Sequence, residues 1–413
     1  MRQVIFTGFS PNLTWRDVKT AGVFLLHPLR WKNLNRGVAV EAAENKLSAY
    51  FGFPVVTFDS GRSALYFALR ALGVGDGDEV LVQAYTCVVV INAIRFAGAR
   101  PVYVDIKDDF TMDPDDARRK LTGRARALII QHTFGQGADL TALLALARAQ
   151  GLGVVEDAAH SFGARYQGKL AGTWGDIGML SFGSDKVLSS VRGGALVVVN
   201  AKLLDRVRGW QEKLPAMPIA VVLQHLLHLP FFWWGKRWYG YGIGKWFLYA
   251  AKKLNLTNKI IYPAEKRGEA VSFFPSRLPN ALACLLLPQI NDAAAVNEHR
   301  RGIAAIYRRQ ITNPLAIHPP EDESSVYLRY TIRLPAGADP LVRFAKERGI
   351  LLGDWYTAVI APADSDQAAA GYAEGSCPAA ERLAPQSVNL PTDRLITESA
   401  ASFISAIVNS YGA

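Results

Sequence analysis

A chain of 413 residues with 50% hydrophobic and 20% charged side chains suits two globular domains, which excludes a disordered or fibrous protein. Its three cysteines, Cys87, Cys284 and Cys377, are odd in number and far apart, with no Cys-x-x-Cys pair, so neither a disulfide framework nor a metal site is expected. The formal charge of +10 does not point to nucleic acid: residues 210–268 hold nine Lys or Arg against two Glu, and the other 354 residues carry only +3.

The N-terminus, Met1 to Pro11, lacks the uninterrupted apolar stretch and small-residue cleavage site of a secretory signal, so a cytoplasmic, reducing location is expected. From about residue 55 to residue 200, short β-branched runs alternate with helical patterns, the spelling of a mostly parallel sheet covered by helices. Seven strands are expected, at 55–58, 79–82, 101–105, 127–131, 153–156, 178–182 and 195–199, with helices at 63–72, 88–96 and 140–149 between them. Residues 279–310 read as one long helical region. Strand-like runs at 326–334 and 350–352 belong to a smaller α+β domain. The expected division is a large α/β domain over 1–302, interrupted by an aromatic and basic insertion at 210–268, and a small C-terminal domain over 303–413.

Three runs carry chemistry. Thr57-Phe58-Asp59-Ser60-Gly61-Arg62-Ser63 passes from a strand through a turn into a helix, whose unpaired first-turn amides attract phosphate; taken alone, Ser60 is an N-cap and Gly61 a tight turn. Glu156-Asp157-Ala158-Ala159-His160 follows an apolar strand, at the carboxyl end of which ligands of parallel sheets gather. Asp157 is an acid in that position, or else a helix cap. His160, within one helical turn, can fix the aspartate, bond a ligand's phenolic oxygen, or serve structure only. Ser181-Phe182-Gly183-Ser184-Asp185-Lys186 sets a hydroxyl and an amine just after a buried strand. An amine able to form a Schiff base with an aldehyde, and a carboxylate able to keep a pyridine nitrogen protonated, are the two groups a pyridoxal 5'-phosphate site needs; Lys186 and Asp157 can fill those roles.

These runs, with Gly75-Asp76-Gly77-Asp78-Glu79-Val80 and Gly135-Gln136-Gly137-Ala138-Asp139-Leu140, resemble in order and spacing the DegT/DnrJ/StrS family of pyridoxal phosphate-dependent sugar aminotransferases. The likeness covers roughly residues 40–205 and 275–395. It implies a fold type I enzyme acting as a homodimer. Lys186 would be the Schiff-base lysine and Asp157 would sit on the pyridine nitrogen, with Ser181 and the Gly61 and Arg62 amides on the phosphate. His160 falls where the family often has Gln or His near the phenolic oxygen. The resemblance further implies that glutamate gives the amino group and that a keto group on a nucleotide-linked sugar receives it, in polysaccharide or glycoconjugate synthesis.

The chain departs from the family at several points. Where an aromatic residue commonly stacks on the cofactor ring stands Cys87, so either Tyr85 swings in or sulfur covers that face. Gly-Glu-Gly-Gly after the lysine is replaced by Val191-Arg192-Gly193-Gly194, and Asn-Tyr-Arg by Pro275-Ser276-Arg277. These exchanges leave room for a second reading, a membrane-associated pyridoxal phosphate-binding protein with a regulatory or scaffolding role. A third reading, a lyase or dehydratase, is disfavoured because sugar dehydratases resembling this family carry His at the Lys186 position.

Residues 210–268 interrupt the resemblance and hold twelve aromatics interleaved with lysine and arginine. Two readings compete for them: a peripheral patch at the inner face of the membrane, with Trp and Tyr at headgroup depth, and a buried dimer or domain contact. A true membrane span is not expected, since Pro215, Pro218 and Pro230 interrupt the one uncharged stretch.

Overall fold

The computed structural model describes residues 4–8 and 10–412. Seven apolar runs become strands of one sheet: β1 (Val55–Phe58), β2 (Glu79–Gln83), β3 (Arg100–Val104), β4 (Ala125–Gln131), β5 (Gly153–Asp157), β6 (Ile177–Ser181) and β7 (Gly194–Val198). Their spatial order is β1-β7-β6-β5-β4-β2-β3; β7 runs antiparallel to both neighbours, and the other pairs are parallel. Alternation within the strands fills two cores. Val56, Phe58, Val80, Val82, Ile129 and Val155 face one layer of helices, and Val55, Leu81, Leu128, Ile130 and Val154 face the other. Because both faces are covered, the strands read as nearly continuous apolar runs. Each lies within two residues of its expected position.

Five helices matter for the site: α1 (Trp15–Leu25), α2 (Gly61–Ala71), α3 (Ile219–Arg237), α4 (Ile243–Lys253) and α5 (Asn280–Gln310). At roughly 46 Å, from its 31 residues and the rise per residue, α5 runs through three of the molecule's hydrophobic cores. Leu286, Ile290 and Ala293 pack under the sheet, while Ile303, Ile306 and Tyr307 enter a separate core. That core also holds Tyr330 and Ile332 of a short strand and Val388 and Leu390 of its antiparallel partner. Position 302 therefore falls inside a continuous helix. The first strand, Ile5–Phe6, pairs in parallel with Ile350–Leu351, placing N-terminal residues beside C-terminal ones.

The 210–268 segment divides into two unlike parts. Val222, Leu226 and Leu229 of α3 are buried against Val18, Ala21 and Phe24 of α1, so this helix is a core element. Downstream, Trp234, Trp238, Tyr241, Ile243, Trp246 and Tyr249 are exposed. Among the described residues, no helix is long and apolar enough to cross a membrane.

Candidate active site

The site is assembled by strand register at the carboxyl edge of the sheet. Ser181, last in β6, lies opposite Gly194, which lies opposite Phe58, last in β1. Asp157, last in β5, lies opposite Met179 of β6. The chain leaving β1 thus starts α2 beside Ser181, which is on the strand next to that of Asp157.

Ser60 caps α2: its extended backbone lets Oγ accept the Ser63 N–H at 3.3 Å, and its carbonyl takes the Ala64 N–H at 3.0 Å. The Gly61 and Arg62 amides are the first-turn donors left for a ligand. Close approach explains the glycines here. A Cβ on Gly61 would stand 3.0 Å from Ser181 Cβ, and one on Gly194 would meet the Ser60 carbonyl oxygen at 2.4 Å. A hydroxyl, two backbone amides and a helix N-terminus therefore share a small concave space, a donor set matched to a phosphate.

Glu156 and Asp157 point to opposite faces of β5. Glu156 is fully buried and structural, accepting from His132 Nε2 at 2.8 Å and from the Trp174 N–H at 2.7 Å. Asp157 Oδ1 accepts the Ala159 N–H at 3.0 Å, and burial pushes its carboxyl above the ordinary range, opposed by Lys186. An acid so enclosed gains from a cationic partner that neutralises its charge, such as a protonated pyridine.

Lys186 Nζ lies 2.8 Å from His160 Nε2, 3.6 Å from Asp185 Oδ2 and 5.8 Å from the centre of the Trp355 ring. Burial lowers the His160 pKa well below its usual value, aided by Lys186 and Arg329, so the ring is neutral. Its Nδ1 accepts the Phe134 N–H at 3.2 Å, and its Nε2 faces the lysine. In this arrangement His160 meets the amine rather than Asp157. The carbonyls of Lys186 and Val187 accept from Asn12 Nδ2, and Asn12 Oδ1 accepts from buried Arg300 of α5 at 2.9 Å.

Eight of the nine site residues expected from sequence line one cavity of about 1000 Å³: Ser60, Gly61, Arg62, Cys87, Asp157, His160, Ser181 and Lys186. Tyr85 does not. Its ring is fully buried on Phe110, with centroids 4.7 Å apart, and its hydroxyl accepts the Tyr356 N–H at 3.0 Å, so of the two alternatives for that wall it is Cys87 that faces the cavity. The Arg62 side chain turns away to Glu265, at 3.1 Å, and to the Ile260 carbonyl, leaving only its amide for a ligand. Arg192, expected beside Lys186, is committed to Asp59 at 3.1 Å in a buried ion pair. The same carboxylate accepts from Ser63 Oγ at 2.5 Å and from the Ser276 N–H at 3.1 Å. Sequence reading missed Gln131, Arg329, Trp355 and Tyr356, which also line the cavity. No local pattern marks them, because three of the four come from the C-terminal region and reach the cavity only through the tertiary fold.

A seven-stranded sheet of this order, with lysine, aspartate and a phosphate-shaped turn in one cavity, defines a pyridoxal phosphate-dependent aminotransferase of fold type I. The chain belongs to the DegT/DnrJ/EryC1/StrS aminotransferase family, whose model matches residues 26–217 and 259–409 and omits the stretch between them. It is 33% identical over 200 residues to the GDP-perosamine synthase of Escherichia coli O157:H7, a match spanning 48% of this chain and 54% of that protein. It is 29% identical to the UDP-N-acetyl-3-dehydro-alpha-D-glucosamine 3-aminotransferase of Acidithiobacillus ferrooxidans, over 91% of this chain and 88% of that one. Among solved structures it is similar to S. venezuelae DesV, with a TM-score of 0.76 and 26% identity over 100% and 99% of the two chains.

Proposed function

We propose that the protein moves an amino group from glutamate to the keto group of a nucleotide-activated sugar, as a homodimer, in polysaccharide or glycoconjugate biosynthesis. The observation that carries this reading is the convergence of Lys186, Asp157 and the Ser60–Ser181 cradle on one cavity large enough for a cofactor and a sugar together. The names of the GDP-sugar and UDP-sugar relatives support the substrate class. When bound, pyridoxal phosphate supplies a ring that withdraws electrons from the carbon bearing the transferred nitrogen. Lys186 would hold it covalently, Asp157 would keep the pyridine nitrogen protonated, and Ser181 with the Gly61 and Arg62 amides would hold the phosphate. Once released, Lys186 Nζ would take and return the proton at the reacting substrate carbon, with His160 Nε2 orienting it from 2.8 Å. We place the enzyme in the cytoplasm at the inner face of the membrane, with the exposed part of residues 210–268 as the contact. We divide the chain near residue 302 into a cofactor-binding domain and a smaller one.

The test is nitrogen transfer. Protein incubated with 15N-glutamate and UDP-, dTDP- and GDP-linked keto sugars should give a labelled amino sugar by mass spectrometry, and Lys186→Ala should give none and lose the visible absorption of the bound cofactor. A visible band that no amino acid alters, with no label in any sugar, would instead favour a binding protein without transamination.

A further inference from the structure

The residues the family model skips form a surface unlike the rest of the molecule. Between Glu212 and Glu265 there is no Asp or Glu, while seven lysines or arginines occur. Packing of α4 explains which side chains are left outward. Gly235 and Gly244 let α3 and α4 approach until a Cβ on Gly235 would stand 2.3 Å from Leu248, so Gly244, Leu248 and Ala251 form the buried stripe of α4. The opposite face cannot be polar in the usual way, because the sequence supplies Ile243, Trp246 and Tyr249 there, while Phe247 stacks on Phe231 of α3. Trp246 is 72% exposed and Trp238, in the preceding turn, 47%. Arg237, Lys245, Lys252 and Lys253 are exposed on the same two turns of chain.

A surface helix with outward tryptophans among lysines, and no carboxylate in reach along its own segment, has the composition of an interfacial helix rather than of a solvated one. Protein interfaces also use aromatics, but they deplete lysine. A row of exposed cations with no ion-pair partner among the described residues is complementary to acidic headgroups, each worth a measurable gain in partition. We propose that α4 and the turn preceding it dock on an anionic phospholipid bilayer, with Trp238 and Trp246 at headgroup depth. The proposal rests on the placement of the enzyme at the membrane's inner face. It adds a geometric consequence: Tyr249, Lys252 and Lys253 of α4 also line the cavity that holds Lys186, so a docked molecule presents its cavity mouth to the headgroup layer.

Full-length protein carrying its cofactor should sediment with vesicles of phosphatidylglycerol and phosphatidylcholine, and not with phosphatidylcholine alone, and should be released by salt. Lys245→Gln should weaken binding about fivefold. The double variant Trp238→Ser/Trp246→Ser should abolish binding while leaving the visible cofactor absorption and lipid-free nitrogen transfer intact, since neither residue lines the cavity. Failure to bind anionic vesicles overturns the proposal. So does a double variant that still binds them but sediments at a lower oligomeric mass, which would assign the face to a second copy of the chain. Because nitrogen transfer is measured without lipid, loss of docking and loss of the enzymatic reading are separate results.

Discussion

Asp59 and Arg192 form an ion pair with side chains 0% and 4% exposed, and the same carboxylate gathers Ser63 and Ser276. One residue thus joins the turn that starts α2, the loop after Lys186 and the loop before α5. Breaking one half of a buried pair strands the other charge at a cost of about 3–5 kcal/mol. Arg192→Met should therefore lower unfolding free energy in urea by about that amount and weaken cofactor retention. The pair Arg192→Met/Asp59→Asn should recover most of the stability, because it leaves no lone charge behind. A pair of similar size would be lost from a surface bridge such as Arg118–Asp115 at almost no cost, since those side chains are 62% and 73% exposed.

At the level of single elements, α3 and α4 are neighbours in sequence with opposite roles. Leu226 of α3 is 0% exposed, so Leu226→Ala should cost about 2–5 kcal/mol in chemical denaturation. His225 and His228, on the same helix, are buried, and burial pulls the pKa of each down to about 3. The unfolded chain binds a proton at each near pH 6.5, while the folded one does not until about pH 3, so this stability is present above pH 6.5 and is lost as pH falls through that window. Between pH 6.5 and 5 the loss is roughly 2 kcal/mol per histidine. Urea titrations at the two pH values should show it, and His225→Gln should remove about half of that due to this helix. Elements of this kind were only partly legible from sequence. The strands of the sheet were readable because uninterrupted Val, Ile and Leu runs have few alternatives once both faces are covered. The split of residues 210–268 was not, because an aromatic side chain spells the same whether it meets Phe24 or water. Likewise Lys186, Asp157 and Ser181 announce themselves by following buried strands, whereas Trp355 and Arg329 enter the cavity through a fold no short window encodes. Tyr85 misled for a related reason: its neighbours Phe110 and Tyr356 hold it in the core.

For the molecule as a whole, the proposed dimer has a direct test. Sedimentation equilibrium should return twice the chain mass of 45.1 kDa. A monomer with full nitrogen transfer would remove the dimer from the reading without touching the cavity. The composition supports this separation of questions, because the basic excess lies in 210–268 and leaves the remainder of the surface near neutrality.

The long α5 has a mechanical corollary. It is a single rod whose ends are gripped by different cores, and two-thirds of the way along it Arg300 holds Asn12, which in turn holds the peptide carbonyls of Lys186 and Val187. The backbone beneath the reactive amine is therefore tied, through two side chains, to the same helix that enters the C-terminal core. The strip of chain that carries the nucleophile is thus moored by an arginine that lies outside the cavity wall.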